Sequence, residues 1–240
     1  MSPNPEAFLR HLRAEGYHSR SNKHSNALAE AMVSDLLAAC PLMADRARRG
    51  LLVYDLNFTM HAGTSDWNVD LVLGAPPPGG ARAEPDAPIV RTRPSTVEVA
   101  VEIKSVMTEH HKAAKNRKRD LEAHHEHVHR YNNLTIAGGV LVVNQSDHFK
   151  SPLRPEVTQH RNPRALVEHC IRQMRGVTAR QGTQGEGLEA KAVIVVDMDN
   201  QDRGATAYVT RPPAPAVGDP LHYDAFLQSV CSFYQQRFGK

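Results

Sequence analysis

Residues 97–104 read Val-Glu-Val-Ala-Val-Glu-Ile-Lys, an alternation of apolar side chains with a set that is mostly charged. Successive side chains of a strand point to opposite faces. Val97, Val99, Val101 and Ile103 are therefore expected on one face, with Glu98, Ala100, Glu102 and Lys104 on the other. The first set makes core. In the second, Glu102 and Lys104 stand side by side, and an acid beside a lysine there is either a surface ion pair or a site.

Upstream lie two β-rich runs, LLVYDLNFTMHAG at 51–63 and WNVDLVLG at 67–74, which a short turn joins as a hairpin. In the second run Val69, Leu71 and Leu73 share an apolar face and Asn68 and Asp70 lie opposite, so Asp70 interrupts a segment that otherwise reads as buried. If this strand neighbours 97–104, Asp70 and Glu102 can converge on one hard cation, with Lys104 next to it. Between the two strands, residues 75–96 are too rich in Pro and Gly to continue either element and form a long loop. Before the hairpin, SRSNKHSN at 19–26 supplies N-cap candidates for a helix through ALAEAMVSDLLAAC, which Pro41 ends.

Beyond Lys104 the pattern is helical from Thr108 to about His129, then strand-like over 136–144, with a second irregular region at 145–163. A helix from Arg164 to Arg175, the apolar strand KAVIVVDMD and a terminal helix over about 221–238 complete the chain. Three consecutive strands followed by helix–strand units predict a mixed sheet flanked by helices, an α/β or α+β fold. The 240 residues, 40% of them hydrophobic, suffice for a single domain over 1–240 with loop elaborations at 75–96 and 145–163.

No run of eighteen apolar residues occurs and the amino terminus lacks a signal peptide's apolar core, so the expectation is a cytoplasmic protein without a membrane span. Cys40, Cys170 and Cys231 are widely spaced in apolar contexts, which suggests buried thiols rather than a disulfide framework. The formal net charge of +3 says little about partners, but its distribution says more. Lys112, Lys115, Arg117, Lys118 and Arg119 place five cations in eight residues with no acid among them, a local field that attracts a polyanion.

Asp70 followed by Glu102-Ile103-Lys104, in the order helix, three strands, helix, strand across roughly residues 22–144, resembles the PD-(D/E)XK nuclease superfamily. By size and lack of an appended domain the chain looks most like its type II restriction endonucleases. Val69 stands where the motif name has proline, and about thirty residues separate Asp70 from Glu102. The resemblance implies a restriction-endonuclease-like α-βββ-α-β core in which Asp70 and Glu102 bind Mg²⁺, the Ile103 carbonyl joins the metal shell, and Lys104 contacts the attacking water or the scissile phosphate. It also implies that Glu30 reaches the active site from the first helix, the alternative being an exposed Glu on that helix's narrow polar stripe with Ser34; Glu98, on the expected face of Glu102, is the alternative acid. Glu189-Ala190-Lys191 repeats the Glu-x-Lys spelling without an acidic strand before it.

Phosphodiester hydrolysis needs those residue types because a metal activates water, neutralises phosphate and stabilises the leaving oxygen, and Mg²⁺ takes oxygen ligands from one or two carboxylates. The basic run would then pair with phosphates beside the scissile strand. Arg91 and Arg93 would enter a groove, and Arg20, Lys23 and His24 form another phosphate cluster. Glu122, His125, Glu126 and His129 lie at metal-ligand spacings, but one helix cannot close such a site, and the run reads as a polar helix face. The resulting expectation is a Mg²⁺-dependent, sequence-specific endonuclease of double-stranded DNA, acting as a homodimer because a palindromic site matches twofold symmetry. The alternatives are a structure-specific repair or recombination nuclease, and a non-cleaving nucleic-acid-binding module of the same fold.

Overall fold

The computed structural model describes residues 5–62, 65–79, 87–108 and 111–239. The hairpin turn expected near 63–64 and residues 80–86 of the long loop lie outside the described residues.

The elements in chain order are α1 (Pro5–Glu15), α2 (Lys23–Ala39), α3 (Pro41–Arg48), β1 (Val53–Ala62), β2 (Ser65–Ala75), β3 (Val90–Arg91), β4 (Thr96–Val106), α4 (His111–Tyr131), β5 (Ile136–Asn144), β6 (His148–Lys150), β7 (Val157–Gln159), α5 (Pro163–Arg175), β8 (Ala190–Asp197), β9 (Ala207–Tyr208) and α6 (Tyr223–Phe238). Seven strands form one mixed sheet in the order β3-β1-β2-β4-β5-β8-β9, and β6 with β7 make a separate small hairpin. β1, β2 and β4 are antiparallel neighbours, whereas β4, β5 and β8 run parallel through the helical crossovers α4 and α5. The expected α/β architecture of a mixed sheet flanked by helices is thus present. No single described helix is long and apolar enough to cross a membrane.

The sheet separates two layers of core. On one face Leu71, Leu73, Val99, Val101 and Ile103 pack against Phe8, Leu12, Leu28, Met32, Leu36 and Phe226, drawn from α1, α2 and α6. On the other, Val97, Ala100, Leu141 and Val193 pack against Leu121, Val128, Leu166 and Cys170 from α4 and α5. β5 is buried along its whole length, as its uninterrupted Ile-Ala-Gly-Gly-Val-Leu-Val-Val run requires of a strand covered on both faces. All three cysteines are buried free thiols.

Two expectations about strand faces need correction. The register passes from Gly74↔Val97 to Leu73↔Val99, so Glu98 is an extra residue in a β-bulge. The bulge turns Glu98 to the same side as Val99, where it meets Arg46 and Tyr234, and sends Val97 to the side of Ala100. Gly74 permits this close approach, since a Cβ there would fall 1.7 Å from the Thr96 carbonyl oxygen. The second correction concerns the hairpin. Leu56 and Leu71 face the α2 layer, but Phe58, Met60 and Val69 face the α4 layer. The switch occurs at Asn57, whose φ of 54° lies in the left-handed region that Asn tolerates. Val69 therefore does not share a face with Leu71, and Asp70 sits at the crossover.

Further elements were not read from the sequence. α1 packs through Phe8, Leu9 and Leu12, and Pro41 both stops α2 and opens α3 at a position where its missing N–H costs nothing. The 75–96 loop returns β3 to the sheet edge beside β1, and the 145–163 region contains the β6/β7 hairpin.

Glu189, in the second Glu-x-Lys, is the hub of a buried ion network. Its side chain accepts from Arg180 at 3.2 Å, Arg237 at 2.7 Å, His129 at 3.2 Å and the Ala137 amide at 2.8 Å. Lys191 turns away to the Val177 carbonyl, 2.6 Å distant. Burial alone would raise the Glu189 carboxyl, but the bonds from His129 and Arg237, with the other donors, outweigh it and hold the group below its ordinary 4.5. A lowered acid contributes stability above its unfolded value and loses it as pH falls through its folded value. Removing the acid leaves two guanidinium groups buried without their partner. Glu189→Ala is expected to lower unfolding free energy by about 3–5 kcal/mol near neutral pH. Urea melts should show the gap between parent and variant narrowing below pH 4.5.

Candidate active site

The site forms where β2 parts from β4. Their ladder runs to Leu71↔Val101 and stops, leaving Asp70 on one arm of a fork and Glu102, Ile103 and Lys104 on the other. The Ile103 N–H, which a continuing ladder would have bonded, instead donates to Asp70 Oδ2 at 2.7 Å. A residue's N–H and C=O point to the same side of its strand, so the Ile103 carbonyl is directed into the fork as well. Lys104 ion-pairs with Glu102 Oε1 across two positions of the same strand face. The structure thus brings together Asp70, Glu102, Ile103 and Lys104.

Helix α2 closes the fork from one side. Asn57 at the hairpin crossover accepts from Asn22 Nδ2 at 2.8 Å and donates to Asn26 Oδ1 at 3.0 Å. This amide pair of contacts presses the first turn of α2 against the bend and sets buried Ser25 beside Asp70. An open cleft of about 340 Å³ follows, walled by Tyr17, Ser19, Arg20 and His24 on one side and by Lys104, Ser105 and Arg117 on the other. A larger polar cavity of about 490 Å³, near Asp197, Asp199 and Arg211, contains none of the fork residues in its lining.

Both carboxyls are shifted upward. Burial raises Asp70, and the Ile103 amide, Lys104 and the Ser25 hydroxyl offset only part of that. Glu102, 2% exposed, is pushed up to about 7 by burial and then by the Asp70 charge, against the opposing pull of Lys104. Its Oε2 has no hydrogen-bond partner. Two desolvated acids, Glu102 raised further by the Asp70 charge, with a buried lone pair to spare, form a donor set suited to a small cation of oxygen preference. Among the described residues no group of three or more His, Cys, Asp or Glu side chains forms a metal cage.

The other expected site residues fall elsewhere. Glu30 lies on the exposed face of α2 and pairs with Arg91 at 3.4 Å; helical rotation carries it away from the face that holds Ser25. Glu98 is held bidentately by Arg46, both bonds 2.8 Å, and by the Tyr234 hydroxyl at 2.6 Å, so the bulge removes it from the face of Glu102. Arg93 lies over the Phe58 ring, 4.4 Å from its centroid. The basic run divides. Arg117 lines the cleft while bonded to Asp120 at 2.8 Å, Lys118 pairs with Glu122 at 2.9 Å, and Lys112, Lys115 and Arg119 are exposed.

The histidine-rich run is not one polar face. His124 and His125 are buried, His127 stacks on Trp67 at 4.7 Å, and His129 belongs to the Glu189 network. Leu121, His124 and Val128 fall on one helical stripe, the signal that could have placed His124 inside. Ser25 and Tyr17 carried no comparable signal, because their place at the cleft depends on the Asn57 contacts and on the turn before α2. Comparison with known proteins finds no family model, no curated protein and no solved structure that matches the chain.

A carboxyl raised from 4.5 to about 7 disfavours folding once it must ionise. Its cost is absent below the unfolded value, grows as pH rises, and is complete above the folded value. Glu102→Gln should therefore be more stable than the parent above pH 7, by about 3 kcal/mol, and equal to it near pH 4; urea denaturation at the two pH values checks this.

Proposed function

We propose that the protein is a Mg²⁺-dependent endonuclease of double-stranded DNA with a restriction-endonuclease-like fold, acting as a homodimer on a specific sequence. The observation that carries the reading is the fork itself, where two desolvated carboxyls, a backbone carbonyl and a lysine meet at the mouth of a cation-lined cleft. Asp70, Glu102 and the Ile103 carbonyl would hold the metal, which when bound supplies charge neutralisation and activation of water. In the absence of that charge Asp70 and Glu102 are occupied by the Ile103 amide and by Lys104. Lys104 is only partly exposed, so its ammonium acts from a site with little competing water. Released from Glu102, it stabilises the negative charge that gathers on the phosphoryl oxygens in the transition state, a preorganised contribution.

The cleft suits a polyanion. Arg20 on one wall and Arg117 on the other face the groove that begins at Lys104, while His24 beside Arg20 is neutral, burial pushing it down to about 4, and Lys112, Lys115 and Arg119 extend positive charge along α4. Each contact made to a phosphate releases counterions and gives binding its salt dependence. Arg91 and Arg93 are the groove-reading candidates, Arg93 from beside Phe58 and Arg91 from its pair with Glu30.

Incubation with a long plasmid of varied sequence tests the proposal. Discrete fragments are expected in Mg²⁺ and none in EDTA; cutting confined to junctions or flaps would favour a repair or recombination enzyme, and binding with no cutting a non-cleaving module. Lys104→Ala should reduce cleavage by about 10²–10³-fold while retaining DNA affinity. Arg117→Ala should weaken binding across sequences and lower the slope of log affinity against log salt by about 1, measured by fluorescence anisotropy.

A further inference from the structure

Behind the fork, β4 is backed by α4, and one side chain of that helix reaches a proposed metal ligand from the buried side. His124 has no solvent exposure. Its Nε2 lies 3.3 Å from the Ala100 carbonyl oxygen, and its Nδ1 stands 3.9 Å from Glu102 Oε2. Neither Nδ1 nor Oε2 has another partner. Two orphaned polar atoms facing each other in a sealed space are uncommon, because each unpaired buried group costs about 1–3 kcal/mol. The gap exceeds a hydrogen bond by about 1 Å, a distance that rotation of the Glu102 side chain can close.

We infer that His124 is a positioning residue for Glu102, holding the rear oxygen of its carboxylate so that the front oxygen meets a divalent cation in the fork. The inference rests on the nuclease reading of that site. A neutral imidazole has one N–H and here two acceptors, the Ala100 carbonyl and Glu102 Oε2. With the proton on Nε2 the bond goes to Ala100. With the proton on Nδ1 the bond goes instead to the rear oxygen of the Glu102 carboxylate, a charge-assisted contact about twice as strong as a neutral one, and the ring changes tautomer. Leu121 and Val128 pack in the same core layer as the strand residue Ala100 and fix the helix that carries the ring. Outer partners of this kind tune metal affinity through the ligand they orient.

The test uses the full chain without DNA, titrated with Mg²⁺ in a calorimeter and followed by ¹⁵N spectroscopy of the histidine rings. His124→Phe fills the same space without a donor and should weaken Mg²⁺ binding by about 10–100-fold. His124→Asn, which keeps an N–H near the position of Nδ1, should recover part of that loss. Leu166→Ala, a packing change in the same core layer but on α5, should lower the melting temperature and leave Mg²⁺ affinity unchanged. The parent's His124 should show the Nδ1–H tautomer when Mg²⁺ is bound. Unchanged affinity in folded His124→Phe, or an Nε2–H ring in the loaded parent, overturns the role of His124 alone. Should His124→Phe fail to fold, the ring's tautomer in the parent decides the matter. A parent protein that takes up no Mg²⁺ overturns the nuclease reading and this role with it.

Discussion

A single hydrogen bond organises the candidate site of this protein. The Ile103 N–H donates to a side-chain carboxylate where the sheet would have offered a carbonyl, so Asp70 ends the β2–β4 ladder by occupying it. Everything at the site follows from that substitution of partner. The strands diverge, the Ile103 carbonyl is freed from sheet duty, and Glu102 and Lys104 project beside a gap instead of a neighbouring strand. A ladder continued by one more pair would have covered the same residues and left them an ordinary buried ion pair.

The arrangement holds because the hairpin changes the face it offers to the core within one residue pair. Leu56 and Leu71 pack with α2, while Phe58 and Val69 pack with α4. Both halves are thus anchored in apolar layers, and the residue between them on β2 is the one free to turn toward β4. Desolvation does the remainder. The same burial that keeps water from the fork raises Asp70 and Glu102, which makes the pair unfavourable alone and receptive to added positive charge.

The long strongly patterned elements were legible in the sequence. Val-Ile-rich β5 and β8 and the helices α2, α4 and α5 followed from periodicity and breakers, whereas the pairing of β2 with β4 was a condition that the sequence left open and the structure meets. What periodicity cannot carry is a change of phase. Strict alternation put Glu98 with Glu102, yet the bulge that Gly74 admits moved it to Arg46 and Tyr234. It likewise put Val69 with Leu71, where the left-handed turn of Asn57 separates them. Composition failed in a different way for His124 and Glu189. For His124 the polar run suggested solvent where the stripe of Leu121 and Val128 gives the reason for burial, and for Glu189 the spelling alone could not show the distant cations Arg180 and Arg237 that hold it inside. Glu30 illustrates the limit of arguing by resemblance alone, since its place on the exposed side of α2 is set by helical phase.

The knot of Asn22, Asn26 and Asn57 that locks α2 to the hairpin is built from uncharged amides. Electrolyte that shields ionic contacts acts only weakly on such bonds. The wall of the cleft therefore keeps its shape at ionic strengths that screen the charges along its lining, so framework and surface field respond to the medium independently.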